Sequence, residues 1–136
     1  VVNKCKFEAT NSAVNTKEKT AILMQGTSKN VVIRDNDIQN CEFNGIQVVG
    51  ATGSMLIDGN TINNTGSRAM RITTNDGAVL AIMNNVITNA NTDPVEATEN
   101  NGEIIKITGA VVDGAIANNI YNGNELVFNN GIGQVI

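Results

Sequence analysis

The stretch "VVIRDNDIQN", residues 31–40, returns as "MLIDGNTINN", residues 55–64. Ile33, Asn36 and Ile38 come back as Ile57, Asn60 and Ile62, each 24 residues later. Self-similarity at such a period is the signature of stacked, repeated units. Five copies can be laid over one another. The first apolar position is Val2, Ile33, Ile57, Ile82 and Ala115, and the second is Phe7, Ile38, Ile62, Ile87 and Ile120. Between them stand Cys5, Asn36, Asn60, Asn85 and Asn118; just after them come Ala9, Asn40, Asn64, Asn89 and Asn122. Each copy also carries a pair of apolar residues two apart: Ile22 with Met24, Ile46 with Val48, Met70 with Ile72, Ile105 with Ile107, Leu126 with Phe128. A spacing of two is the period of a strand, not of a helix.

Composition narrows the classes. The chain has 136 residues, 41% of them apolar, enough for one domain with a core. Three Phe, one Tyr and no Trp leave that core to Ile, Val, Leu, Met and Ala, which suits thin, regular layers. Nine basic against thirteen acidic residues give a net charge of −4, so nucleic acid is not expected as a partner. With no His there is no imidazole base and no His-ligated metal, which excludes serine-histidine triads and most zinc enzymes. No apolar run approaches the roughly 20 residues of a membrane span. No signal peptide is visible, and "VVNKCKF" reads as strand at once; the expectation is a fragment of a longer chain or an assembling unit.

Short strands punctuated by Asn and Gly, repeating at this interval from Val2 to about Asn130, resemble the right-handed parallel β-helix of the pectin-lyase-like superfamily. The resemblance implies an all-β solenoid of about five turns of about 24 residues each. Function is left open by it, since the superfamily holds lyases, hydrolases, phage tailspikes, adhesins and structural stalks. The physics of stacking agrees. Equivalent residues about 4.8 Å apart must suit themselves as neighbours, and an Asn amide can donate to the copy on one side while accepting from the other. Asn36, Asn60, Asn85 and Asn118 are therefore read as a structural ladder. Cys5 holds the ladder position and Cys41 a corner, places separated by roughly 15 Å at strand rise, so two free thiols are expected.

Departures from the repeat point to a site. Two copies carry long insertions at one corner, "TNSAVNTKEKT" (10–20) and the acidic "ANTDPVEATENNGE" (90–103), where the intervening copies have "CEFN" and "TGSR". Long connections flanking short ones would wall a shallow floor. Strand alternation turns Gln39, Asn63, Gln47, Arg71 and Lys106 outward, with Arg68 in the short connection. Gln47, Arg68, Arg71 and Lys106 are the candidate glycan contacts, edged by Glu96, Glu99 and Glu103. In the polysaccharide lyases that this chain resembles, a similar groove holds an anionic sugar chain. The bland alternative is that these charges pair with loop carboxylates and keep a solenoid soluble.

Other stretches carry less. "RDND" (34–37) offers Asp35 and Asp37, but the equivalents one copy on are Gly59 and Thr61. Calcium is the one cofactor that any stretch suggests, at "DGNTINN" (58–64), whose residues are already used for column and turn; no cofactor or metal is expected. Val32, Leu56 and Ala81 form an outward apolar column, with Met83 and Ile116 nearby, and together with the uncapped terminal turns they suggest self-association. An ice-binding surface would need a regular Thr column, and Asp37, Thr61, Val86, Asn119 is not one. The reading is a non-catalytic extracellular or cell-surface module, structural or adhesive, including the phage-fibre case and binding of polysaccharide. Its rival is part of a lyase or glycoside hydrolase acting on an acidic polysaccharide.

Overall fold

The structure, a computed structural model, describes residues 1–8, 19–99, 101–122 and 124–125, with residues 76, 77, 110–112, 124 and 125 described by backbone alone. In chain order these residues form β1 (Val2–Asn3), β2 (Lys6–Glu8), β3 (Ile22–Gln25), β4 (Lys29–Arg34), β5 (Asp37–Cys41), β6 (Ile46–Asp58), β7 (Thr61–Thr65), β8 (Met70–Met83), β9 (Val86–Thr88), α1 (Pro94–Glu99), β10 (Ile105–Ala117), β11 (Ile120–Tyr121) and β12 (Asn124–Glu125). The protein is all-β, built of two sheets. One runs β1-β4-β6-β8-β10, with β3 also on β6; the other runs β12-β11-β9-β7-β5-β2. Every pairing is parallel except that of β11 with β12. No helix among the described residues is long and apolar enough to cross a membrane.

The 24-residue self-similarity is strand register. Ile33 pairs with Ile57 and Ile57 with Ile82, while Ile38 pairs with Ile62 and Ile62 with Ile87. All six are fully buried in one apolar cluster that takes side chains from both sheets. The long strands bend on their way from one straight segment to the next. Register shifts fall between Val49 and Ser54 in β6 and between Gly109 and Asp113 in β10. Gly109 has φ +103, and a Cβ there would collide with the Thr74 carbonyl, so both the bend and the close approach require glycine.

Between the two inner columns lies the amide ladder, and its hydrogen bonds all run the same way. Asn36 donates from Nδ2 to Asn60 Oδ1 at 2.9 Å, Asn60 to Asn85 Oδ1 at 2.9 Å, and Asn85 to Asn119 Oδ1 at 2.9 Å. Each acceptor oxygen also receives the backbone N–H of the preceding rung, at 3.1, 2.9 and 3.1 Å. The second Nδ2 proton of Asn60 goes back to the Ile33 carbonyl at 3.0 Å, and that of Asn85 to the Ile57 carbonyl at 3.1 Å. Cys5 holds the ladder position as expected, donating its backbone N–H to Asn36 Oδ1 at 3.0 Å.

The last copy differs from its expected alignment. Asn119, not Asn118, is the ladder residue; Ile116 pairs with Ile82 and Tyr121 with Ile87, in place of Ala115 and Ile120. Ile116 accordingly faces the core, 4% exposed, instead of joining an outward apolar stripe. The outward column is completed by Ile120 on Val86, so it still lacks the regular threonines of an ice-binding face. The reason is backbone conformation. The residue before each ladder residue turns the corner with positive φ: Lys4, Asp35, Gly59, Asn84 and Asn118 lie between +53° and +65°. Asn tolerates that conformation, so corner and ladder are both Asn here, and Asn118 reaches only Asn84 Oδ1 at 3.4 Å. Asn122 does stand where expected, its Oδ1 accepting the Asn89 N–H at 3.1 Å.

Replacing Asn60 by Ala strands the buried amide donors of Asn36 and the acceptor of Asn85 on the same rung stack. Urea denaturation is expected to show a loss of about 1–3 kcal/mol. Ile62→Ala, a cavity in the central rung, is expected to cost about 2–5 kcal/mol by the same measurement.

Candidate functional site

The outward residues of the strands that follow this corner, β3, β6, β8 and β10, stack in register. Leu23 pairs with Gln47, Gln47 with Arg71, and Arg71 with Lys106, giving one column with rungs about 4.8 Å apart. Strand alternation therefore brings three of the four candidate contacts together. Gln47 is half-buried, its Oε1 accepting from Asn44 Nδ2 at 2.9 Å. Arg71 is exposed and makes no ion pair among the described residues.

Arg68 has a different place. It lies in the short connection with 7% exposure, buried where the sequence suggested display. Its Nε and Nη2 donate to Glu103 Oε2 at 3.1 and 2.6 Å. Lys106 Nζ joins the same oxygen at 3.2 Å and Oε1 at 3.4 Å. One carboxylate thus holds two of the three cations that the sequence assigned to the floor. Partial burial works against ionising Glu103, but hydrogen bonds from Arg68 and Lys106, and then their charges, outweigh it and hold its carboxyl below the usual range. Because the folded state favours the ionised form, this pairing stabilises above the ordinary carboxylate range and is lost as pH falls through the lowered value.

The second insertion, residues 90–103, delivers Glu103 to this position by fastening itself to the "TGSR" connection. Asn91, Thr92 and Asp93 donate their backbone N–H groups to the carbonyls of Ser67, Thr65 and Gly66 at 2.9, 3.0 and 3.0 Å. Asp93 then caps α1, its Oδ1 accepting the Val95 N–H at 2.8 Å, with Pro94 in the first helical position where its missing N–H costs nothing. Asn91 Nδ2 returns to the Glu103 carbonyl at 2.9 Å. Glu96 and Glu99, placed on α1, make no ion pair with the column. Most of the first insertion, residues 10–18, lies outside the described residues; near its end, Lys19 pairs with Glu42.

The other side of the corner carries a polar run that the sequence turned outward without linking. Asn63 Nδ2 donates to Gln39 Oε1 at 2.9 Å, and Thr88 Oγ1 to Asn63 Oδ1 at 2.7 Å. Val32, Leu56 and Ala81 form the expected outward column, half-buried by stacking on one another.

Chemically, the arrangement offers the exposed Arg71 guanidinium beside an amide and an ammonium shared with Glu103, groups that receive carboxylate or sulfate. No three of Cys, Asp and Glu among the described residues come together as metal ligands. Ion pairing pushes the Glu103 carboxyl down, and burial pushes the Cys41 thiol from 9.0 to about 11, against a smaller lowering by a backbone hydrogen bond with Ala21.

No protein-family model, no curated protein and no solved structure matches the chain.

The two thiols are free, Cys5 exposed and Cys41 buried. With a disulfide reagent at neutral pH, one thiol should react promptly and the second only on unfolding. The raised pKa of Cys41 means that the folded state keeps the proton. Its contribution is complete below about 9 and is lost as pH rises through about 11. Urea midpoints of the wild type should fall over that interval by more than those of Cys41→Val.

Proposed function

We propose that this chain is a β-helical module of the pectin-lyase-like kind, working outside the cell, on a cell surface or on a phage fibre. It acts as a non-catalytic structural or adhesive unit and binds acidic polysaccharide along the column Gln47, Arg71 and Lys106. The observation that carries this reading is the stack itself. Parallel rungs in register repeat side chains at about 4.8 Å, close to the length of one sugar unit, and in their middle lies the exposed cation Arg71, without an ion pair among the described residues. The buried amides of Asn36, Asn60 and Asn85 are committed to one another, which supports a mechanical role for the interior.

The lyase alternative requires a base near the sugar. Arginine stays protonated in proteins, and Lys106 is already engaged by Glu103, so the column favours binding over proton abstraction. Arg68 leaves the contact set, because its guanidinium is buried against Glu103.

The test is binding to an array of acidic and neutral glycans, run alongside an absorbance assay for unsaturated products from pectate, alginate and chondroitin. Binding to acidic glycans without product is expected. Arg71→Ala should weaken that binding about two- to fivefold and lower its salt dependence, with the melting temperature unchanged, as for an exposed charge. Product formation by the wild type would establish the lyase instead.

A further inference from the structure

The three candidate cations divide unequally: Arg71 has no carboxylate partner among the described residues, while Arg68 and Lys106 share Glu103. The sharing is itself lopsided. Arg68 is buried, with its side chain 9% exposed, and gives Glu103 two hydrogen bonds; Lys106, at 35%, gives a longer contact from the solvent side. A buried guanidinium stripped of its counterion is costly, so Arg68 and Glu103 stay together. An ammonium on a flexible stem at the surface exchanges partners at little cost. Lys106 is also the register neighbour of Arg71.

From this geometry we infer that Glu103 is a built-in competitor for the ligand: it draws Lys106 away from the column, and an anionic sugar bound at Arg71 must recruit Lys106 by displacing that contact. The inference rests on the glycan reading above and adds its regulation. The insertion between β9 and β10 thereby sets affinity without touching the ligand. Sequence changes there tune binding through one carboxylate.

Because Glu103→Gln alone leaves Arg68 buried without a counterion, the informative comparison is Arg68→Met against Arg68→Met/Glu103→Gln. In the first, Glu103 still holds Lys106; in the second, Lys106 is released and no buried charge is orphaned. The probe is oligogalacturonate, with alginate and chondroitin sulfate oligomers in parallel, titrated calorimetrically into the full chain at two salt concentrations. Release should tighten binding about two- to fivefold, the range of an exposed ion pair, and steepen the salt dependence. Adding Lys106→Ala should erase that gain. Melting curves establish that each variant is folded; should Arg68→Met fail to fold, Glu103→Asp, which shortens the reach to Lys106, is compared with wild type for the same gain. Equal or weaker binding on release, with wild type still binding, overturns the competitor role and leaves the glycan reading standing. No binding of any of the three oligomers to any variant overturns both.

Discussion

The ladder of asparagines is the constraint on which the rest depends, because an amide placed in an apolar interior has to be satisfied on both sides at once. Asn60 lies 1% exposed and makes four hydrogen bonds through its side chain: two donated, two accepted. None of its partners is close in sequence, so satisfying it fixes the neighbouring rungs in height and direction. A slip of one residue would turn each Ile outward and leave every buried amide unmatched. The apolar columns supply most of the stabilisation, but Ile on Ile would tolerate several alignments. The amides select one.

Fixing the rungs leaves the connections free to vary. Successive ladder residues are 24, 25 and 34 apart, yet their Nδ2 to Oδ1 distances are all 2.9 Å. The extra residues of the last interval go to the corner after β9, and closing a longer surface loop adds little entropy cost. That corner is where the insertion gains a role. By fastening to the carbonyls of residues 65–67 it carries Glu103 over Arg68, and so a cation can be buried in a connection that would otherwise have to expose it. The rigid stack and the variable corner are parts of a single arrangement.

The all-β class, the parallel register and most of the ladder were legible in the sequence because stacking demands like residues at like positions, and a strict repeat is a direct imprint of that demand. The last copy was misaligned where the imprint is ambiguous. Asn84 and Asn85, and again Asn118 and Asn119, set a left-handed corner beside a ladder rung, and the two needs select the same amino acid. A one-residue shortening after Tyr121, where Thr88 has no counterpart, then hides the shift, since Asn89 and Asn122 are 33 apart but Asn85 and Asn119 are 34. At the site, alternation gave the column of Gln47, Arg71 and Lys106. It could not give the burial of Arg68, which depends on a carboxylate 35 residues away, brought in by a loop with no repeat to align.

Stacking in register also limits how charge can be displayed. Any column that carries cations on successive rungs sets like charges about 5 Å apart at their backbones, a repulsion below about 1 kcal/mol in water that grows as solvent is excluded. This column dilutes its charge at one end with Leu23 and Gln47, and reaches Arg71 and Lys106 only at the other. There Glu103 pairs with Lys106, which relieves the repulsion without removing the charge. A ligand anion lying between the two rungs would relieve it equally well. The same electrostatics that makes a bare cationic column unfavourable in a parallel stack would favour a polyanion there, and on the proposed reading the insertion sets how much of that attraction is taken up internally.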